Sequence, residues 1–467
     1  MTLHFRNTLG GALEPFRPLD PGHVRMYSCG PTVYAPAHIG NFRAFVFADL
    51  VHRVLLFSGY EVTWVMNITD VDDKIIRDAG AAGVGIEEFT ATYVEAFLED
   101  LAHLGIARPD TMPRATAHID DMVALIETLL EKGHAYQTEE GSVFFRIASW
   151  PAYGRLARID PDQQRSGERV EADEYDKESV RDFALWKATK PGEPSWQTAI
   201  GEGRPGWHIE CSAMSMRYLG PSFDIHTGGI DLVFPHHEDE MAQSEAATGM
   251  PFVHTWLHNA HLQMSGAKMA KSTGNIARPA DLYASGVSPR ALRYALLATH
   301  YRSPLEFSER ALAAAAAAVE RIQTAVAALD GYAEERPDAE DLPALLADAR
   351  RAFAAGLEDD LNISAALAAT FDLVRELNSR VAARSISSAD ARRAAAAMRE
   401  LDTVLGLIED EVDDSLPAEL AEMLEARAAA RAARDWRRSD ALRDVLAEAG
   451  IIVEDTPDGQ RWRRSGT

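Results

Sequence analysis

Tyr27-Ser28-Cys29-Gly30-Pro31-Thr32-Val33-Tyr34, followed shortly by His38-Ile39-Gly40-Asn41, is the stretch on which the reading of this chain turns. Val24-Arg25-Met26-Tyr27-Ser28-Cys29 has the composition of a short strand. Gly30-Pro31 breaks it, and Ile39-Gly40-Asn41 opens a helix running through Phe45, Phe47 and Ala48 to Leu55 and Leu56. Glu61-Val62-Thr63-Trp64-Val65-Met66-Asn67, rich in β-branched and aromatic residues, reads as a second strand that closes a βαβ unit. Such a unit implies a parallel sheet with a ligand crevice at the carboxyl ends of its strands. No G-x-G-x-x-G follows the first strand, which counts against an ordinary dinucleotide fold.

The chain of 467 residues and 51.2 kDa exceeds what one hydrophobic core usually supports, so two to four domains are expected. Its 46% hydrophobic and 25% charged residues are ordinary for a soluble protein. No run of about 18 or more apolar residues predicts a membrane span, and Met1-Thr2-Leu3-His4-Phe5-Arg6 lacks the apolar core of a signal peptide. Two cysteines, far apart and embedded in motifs, make no disulfide framework, so a reducing, cytoplasmic setting is expected. The net charge of −25 argues against a polyanionic partner for the chain as a whole. Docking, however, depends on the field within a Debye length of about 8 Å. Arginines cluster late, at Arg427, Arg431, Arg434, Arg437, Arg438, Arg443, Arg461, Arg463 and Arg464, away from the acidic excess around 338–348 and 409–425.

From about 114 to 204 the pattern loosens: a helix over 115–132, a strand at Ser142-Val143-Phe144-Phe145-Arg146, then a polar stretch over 160–178. This reads as an insertion in the sheet. Beyond Pro304 come Arg310-Ala311-Leu312-Ala313 with its alanine run and then helical segments over 342–357, 365–381 and 388–407, which favours a helical bundle. A genomic bias toward alanine would produce the same run, so it is no clue to function.

Four constellations carry chemistry. His38-Ile39-Gly40-Asn41 places a helix N-terminus, with its unpaired N–H groups and partial positive charge, where phosphate can sit. Gly40 allows close backbone approach to a ligand and His38 can donate to a phosphate oxygen, although a lone His at a helix start is most often only a cap. Lys268-Met269-Ala270-Lys271-Ser272, flanked by Ser265-Gly266 and Thr273-Gly274, forms a glycine-bounded loop whose two lysines can clamp a triphosphate; alone it would be a solvated lysine pair. Cys29, Cys211, His236 and Glu240 offer a four-ligand zinc set, His236 and Glu240 standing at i, i+4 on one helix face. His237 or Glu238 could replace their neighbours there, and buried thiols beside a solvated acidic helix are the plain alternative. In Asn67-Ile68-Thr69-Asp70-Val71-Asp72-Asp73-Lys74, Asp72 reads as a helix cap and Thr69 as a pocket residue.

These residues resemble a class I aminoacyl-tRNA synthetase of the cysteinyl branch. His38-Ile39-Gly40-Asn41 is similar to the HIGH motif and Lys268-Met269-Ala270-Lys271-Ser272 to KMSKS. The cysteinyl branch in particular is resembled by Cys29-Gly30-Pro31-Thr32-Val33-Tyr34, by 67–74, by Gly206-Trp207-His208-Ile209-Glu210-Cys211, by Asp224-Ile225-His226 and by Pro235-His236-His237-Glu238, and the likeness extends to Trp436 and Asp455-Thr456. Two positions depart. Asn41 replaces the second His, keeping a donor, and Ala270 replaces the middle Ser, losing a hydroxyl while both lysines remain.

The resemblance implies an α/β protein: a Rossmann-like parallel-sheet catalytic domain in two halves (1–113 and 205–260) around a connective insertion (114–204). A KMSKS and stem-contact region (261–307), a helical bundle (308–408) and a small mixed anticodon-binding module (409–467) follow. It also implies a monomeric enzyme that activates L-cysteine with ATP and Mg²⁺, then passes the cysteinyl group to tRNA(Cys). His38, Asn41, Lys268 and Lys271 would be catalytic, with Gly40 and Ser272 also on ATP. One Zn²⁺ on Cys29, Cys211, His236 and Glu240 would select the substrate thiolate, and Gly30, Thr69, Trp207 and His226 would wall the cysteine pocket. Arg431, Arg434 and Trp436, at about helical spacing, would meet the anticodon. The rival readings are a ligase joining cysteine to a glucosaminyl inositol in mycothiol synthesis, which has no need of an anticodon reader, and a catalytically silent tRNA- or metal-binding protein.

Overall fold

The computed structural model describes residues 2–159, 181–264, 267–268, 277–409, 418–433, 435–449, 451–456 and 459–464. The polar stretch at 160–178 lies outside them. Four runs of apolar and β-branched residues form strands: His23–Ser28 (β1), Glu61–Met66 (β2), Phe223–Gly229 (β3) and Val253–Asn259 (β4). They pair in the order β4-β3-β1-β2, and every pair is parallel. Their carboxyl-terminal halves are buried nearly continuously, the pattern of strands covered on both faces. The helix Ile39–Phe57 (α1) links β1 to β2, and the helices Trp207–Leu219 (α2) and Glu238–Thr248 (α3) flank β3 in sequence. From β1 the chain steps outward to β2, whereas from β3 it steps outward to β4 the other way. The strand order therefore reverses between β1 and β3, and the loops leaving these two strands diverge, which opens a crevice.

Between β2 and α2, the strands Ala135–Gln137, Val143–Phe145, Phe183–Ala188, Gly201–Pro205 and Trp196–Thr198 pair in that order as an antiparallel sheet. The helix Ile119–Glu131 contributes Met122, Ile126 and Leu129 to the same core as Val143, Phe145 and Leu185. Four helices follow: Glu309–Asp330, Leu342–Glu358, Ile363–Ala382 and Ser388–Leu405. The first is apolar and long enough to pass for a membrane span, with a mean hydropathy of 1.4. Its buried residues Leu312, Ala315, Val319, Ile322, Val326 and Leu329 instead form one stripe packed in the bundle core.

Two buried ionic nodes tie α1 to this bundle. The Arg293 guanidinium donates to Asp49 on α1 at 2.6 Å, to the Leu405 carbonyl at 2.7 Å and to the Leu104 carbonyl at 3.2 Å. Asp49 also accepts from Arg53 and from the Ala107 amide. Burial raises the Asp49 pKa, but Arg293 and Arg53 outweigh it and hold the carboxyl below its ordinary range. The second node is Asp360, which accepts from the Tyr301 hydroxyl, Arg302 and the Arg6 amide, while the Tyr301 ring stacks on Phe47 of α1 at 4.5 Å.

The chain divides into two compact units, Met1–Ile408 and Glu409–Thr467. In the second, the helices Ala418–Ala432 and Trp436–Glu448 precede a hairpin of Ile451–Thr456 with Gly459–Arg464, around Leu424, Leu446, Ile451 and Val453.

Because the Asp49 and Arg293 side chains are fully buried, Arg293→Met strands a carboxylate on a single remaining cation. Urea unfolding of the full chain should show the first unit destabilised by about 3–5 kcal/mol.

Candidate active site and metal centre

A cavity of about 320 Å³ opens at the carboxyl ends of β1 and β3. It is lined by Cys29 and Gly30 beyond β1, by Gly228 and Gly229 of β3, and by His38, Gly40 and Asn41 at the start of α1. Gly30 is forced by a close approach: a Cβ there would stand 1.6 Å from the Asn67 carbonyl oxygen, while the Gly30 amide donates to Asn67 Oδ1 at 2.8 Å.

His38 is the N-cap of α1. Its Nδ1 accepts from the Asn41 amide at 3.2 Å, and Asn41 Oδ1 accepts from the His38 amide at 3.1 Å. This reciprocal capping box makes His38 a cap as well as a cavity residue. An accepting Nδ1 puts the neutral ring's proton on Nε2, and Asn41 keeps its amino group as donor. The Ile39 amide donates to the Ala277 carbonyl at 3.0 Å, tying the helix start to the chain just beyond 276. Lys271 and Ser272 lie outside the described residues; of Lys268 only the backbone is described, paired with Gln263.

The four expected metal ligands converge. The donor atoms of Cys29, Cys211, His236 and Glu240 all lie within 4.8 Å of one another. The two sulfurs are 3.9 Å apart, Cys29 Sγ is 3.7 Å from Glu240 Oε1, and His236 Nε2 is 3.0 Å from the same oxygen. Around a tetrahedral zinc with Zn–S of about 2.3 Å, two sulfurs stand about 3.8 Å apart, so the set fits that ion. Cys29, His226, His237 and Glu240 form an overlapping group. It has one thiol rather than two, and soft thiolate donors favour the first set for zinc. Glu238 is excluded as a ligand, because its carboxylate accepts from the Gly154 amide at 2.7 Å and the Ala157 amide at 2.8 Å.

The electrostatics follow from burial and pairing. Burial opposes the charge on Glu240, yet His226 and His236 hold its pKa down at about 2. Burial likewise opposes protonation of His236, and Glu240 overcomes it, raising the pKa to about 10. Cys211 is lowered to about 6, first by the hydrogen bond from Cys29 and then by His236. His236 Nδ1 contacts His208 Nδ1 at 2.9 Å, and His208 Nε2 lies 3.4 Å from Asp239, which in turn accepts from the Tyr153 hydroxyl. His237 meets Cys29 through Nε2 at 3.3 Å and His258 through Nδ1 at 2.7 Å, and His258 meets the Thr8 hydroxyl at 2.7 Å. These outer contacts fix ring orientations, as partners of metal-bound histidines do. The sequence reading missed His208, Asp239, His258 and Thr8; only the run from His236 to Glu240 hinted at such crowding.

The expected pocket residues fall in two places. Trp207 lines the cavity and stacks on His236 at 4.1 Å, but His226 and Thr69 do not line it. His226 sits three residues before the end of β3, inside the covered sheet, stacked on Trp256 at 4.7 Å and bonded to Glu240 Oε2 at 3.1 Å. Thr69 is buried behind the loop after β1, its hydroxyl donating to Glu210 at 3.0 Å. Asp72 caps the helix Asp73–Ala82, accepting from the Lys74 and Ile75 amides.

The family model for the class I (C) tRNA synthetase catalytic domain matches residues 15–317, that of the DALR domain 352–409, and that of the cysteinyl-tRNA ligase anticodon-binding domain 413–463. The cysteine–tRNA ligase of Solibacter usitatus is 47% identical, over 99% of this chain and 100% of that protein. The chain belongs to the cysteinyl-tRNA synthetase family. A second member, from Symbiobacterium thermophilum, is 47% identical over the full length of both proteins. The fold is shared with Mycobacterium tuberculosis methionyl-tRNA synthetase in complex with methionyl-adenylate, at a TM-score of 0.58 and 17% identity over 87% of this chain and 94% of that one. The Agrobacterium radiobacter leucyl enzyme in a ternary complex gives a TM-score of 0.60 at 13% identity, over 85% of this chain and 86% of that one. The cysteinyl-tRNA ligase match over 413–463 leaves the mycothiol alternative without support.

Within that C-terminal unit Trp436 is 55% exposed, so it is not a core residue, and the Arg431 guanidinium lies 5.8 Å over its ring. Arg434 lies outside the described residues. Arg427 is buried and donates to Gln460, a structural role.

Elemental analysis of purified protein should find metal lost in Cys211→Ser and in Glu240→Gln, and retained in Glu238→Gln, whose carboxylate serves two backbone amides.

Proposed function

We propose that this family member joins L-cysteine to tRNA(Cys) in two steps, with a zinc ion selecting the cysteine thiol. The observation that carries the reading is the Cys29, Cys211, His236 and Glu240 set, reached from the cavity through Cys29 and Trp207. An apolar pocket separates cysteine from serine or alanine by only about 1–3 kcal/mol. Zinc bound there supplies a soft Lewis acid that favours a thiolate over a hydroxyl.

ATP, with its Mg²⁺, places its phosphates at the N-terminus of α1. His38 and Asn41 hold them from one side, and Lys268 and Lys271 close from the other. The cysteine carboxylate attacks the α-phosphorus in line, the bond to the β-phosphate oxygen breaks, and pyrophosphate leaves. The chain's contribution is position and charge complementarity to the developing phosphate charge. A terminal ribose hydroxyl of tRNA then attacks the adenylate carbonyl, releasing AMP. Residues 114–204 act as the connective insertion and 409–467 as the anticodon reader, with Trp436 as a stacking platform beside Arg431. The enzyme works as a cytoplasmic monomer.

Lys271→Ala should slow cysteine-dependent ATP–pyrophosphate exchange by about 10²–10³-fold with little change in cysteine affinity, as for a contact made mainly in the transition state. A raised KM for ATP with unchanged kcat would contradict the role. Trp436→Ala should leave that exchange intact and raise the KM for tRNA about ten-fold, the loss of one stacked base. Unchanged charging would remove Trp436 from the interface.

A further inference from the structure

Of the described residues lining the active-site cavity, Lys74 is the only lysine or arginine. Its ammonium lies 5.6 Å over the Tyr34 ring, and no described carboxylate stands within ion-pairing distance of it. Its acidic neighbours are committed elsewhere. Asp72 accepts from the Lys74 and Ile75 amides at 2.8 Å. Asp73 is held by Lys187 at 2.8 Å and Arg204 at 2.5 Å, both from the antiparallel sheet of the insertion. The residue is half-buried, with an aromatic face beneath its ammonium and no ion pair among the described residues, an arrangement that suits a ligand anion.

The position of Lys74 says which anion. The nucleotide belongs to the crevice between β1 and β3, where Gly228, Gly229 and the start of α1 line the cavity. Lys74 stands on the opposite flank of β1, in the helix that follows β2, and Thr32 bridges Thr69 to join the two loops there. The metal set occupies the inner end behind Cys29 and Trp207. The flank left for a second substrate is the one that carries Lys74, Tyr34 and Tyr93. In a chain of net charge −25, a nucleic-acid terminus needs a local cation at that point.

We propose that Lys74 holds the phosphodiester of the terminal nucleotide of tRNA during the transfer step, with Tyr34 as the apolar face beside it. The inference rests on the two-step reading above and assigns one residue to its second step alone.

The test uses the full-length, metal-loaded enzyme and Lys74→Ala and Lys74→Arg variants. Alanine is a good helix former and the Asp72 cap contacts the Lys74 backbone, so the helix persists. Cysteine-dependent ATP–pyrophosphate exchange in Lys74→Ala should stay within about two-fold of the parent, which also reports that the enzyme is folded. Single-turnover transfer from the preformed adenylate to tRNA should fall by at least about ten-fold, as when a charge-assisted hydrogen bond is lost. Lys74→Arg should recover most of it. A parallel fall in exchange, or a raised KM for cysteine or ATP, would place Lys74 on the first-step substrates and overturn the proposal, as would an unchanged transfer rate. A parent enzyme without cysteine-dependent exchange would instead sink the two-step reading, a result visible before any variant is made.

Discussion

The structure depends on the pairing of β1 with β3 at the reversal of strand order. A parallel sheet buries both its faces, so the edge formed by the carboxyl ends of its strands is where ligands can reach it. At the reversal the loops leave in opposite directions, and the backbone of Gly30 comes so close to Asn67 that no side chain fits. Around that opening stand the capped start of α1, the glycines of β3 and the thiol of Cys29.

The candidate metal-ligand set lies in the layer beneath. Glu240 is fully buried, and a lone carboxylate there would carry a desolvation penalty of several kcal/mol. It is tolerated because His226 and His236 each face one of its oxygens, at 3.1 and 3.0 Å. The surrounding histidines are in turn oriented by Asp239, His258 and Thr8. The same set of buried polar groups thus serves stability and ligand geometry together, and a cation bound among the thiols and carboxylate would complete its charge balance.

Charge elsewhere is handled locally. The bundle is tied to α1 by Arg293 with Asp49 and by Asp360 with Tyr301 and Arg302, so the helix that begins at the cavity is anchored along its length. Along the sequence the arginines are dense over 427–464 and the acidic excess lies largely outside that stretch, so a total of −25 is compatible with a family whose partner is tRNA.

The strand–loop–helix of 24–56, the two lone thiols and the i, i+4 spacing of His236 and Glu240 were all legible in the sequence, because each is a matter of composition or of neighbours along the chain. Periodicity could place His236 and Glu240 on one face even though the regular helix starts only at Glu238. The sequence also contained the capping choice at Asp72, whereas the exposure of Trp436 was settled only by the structure. It did not contain the depth of His226 and Thr69. Those two look like pocket residues by position next to motifs, yet they lie inside covered layers whose thickness depends on which helices pack there. The same holds for the outer partners: His208 meets His236 across 28 residues and Thr8 meets His258 across 250. Such contacts follow from the order in which strands pair, and strand order is a property of the folded sheet, where side chains far apart in sequence compete for the same few ångströms of space.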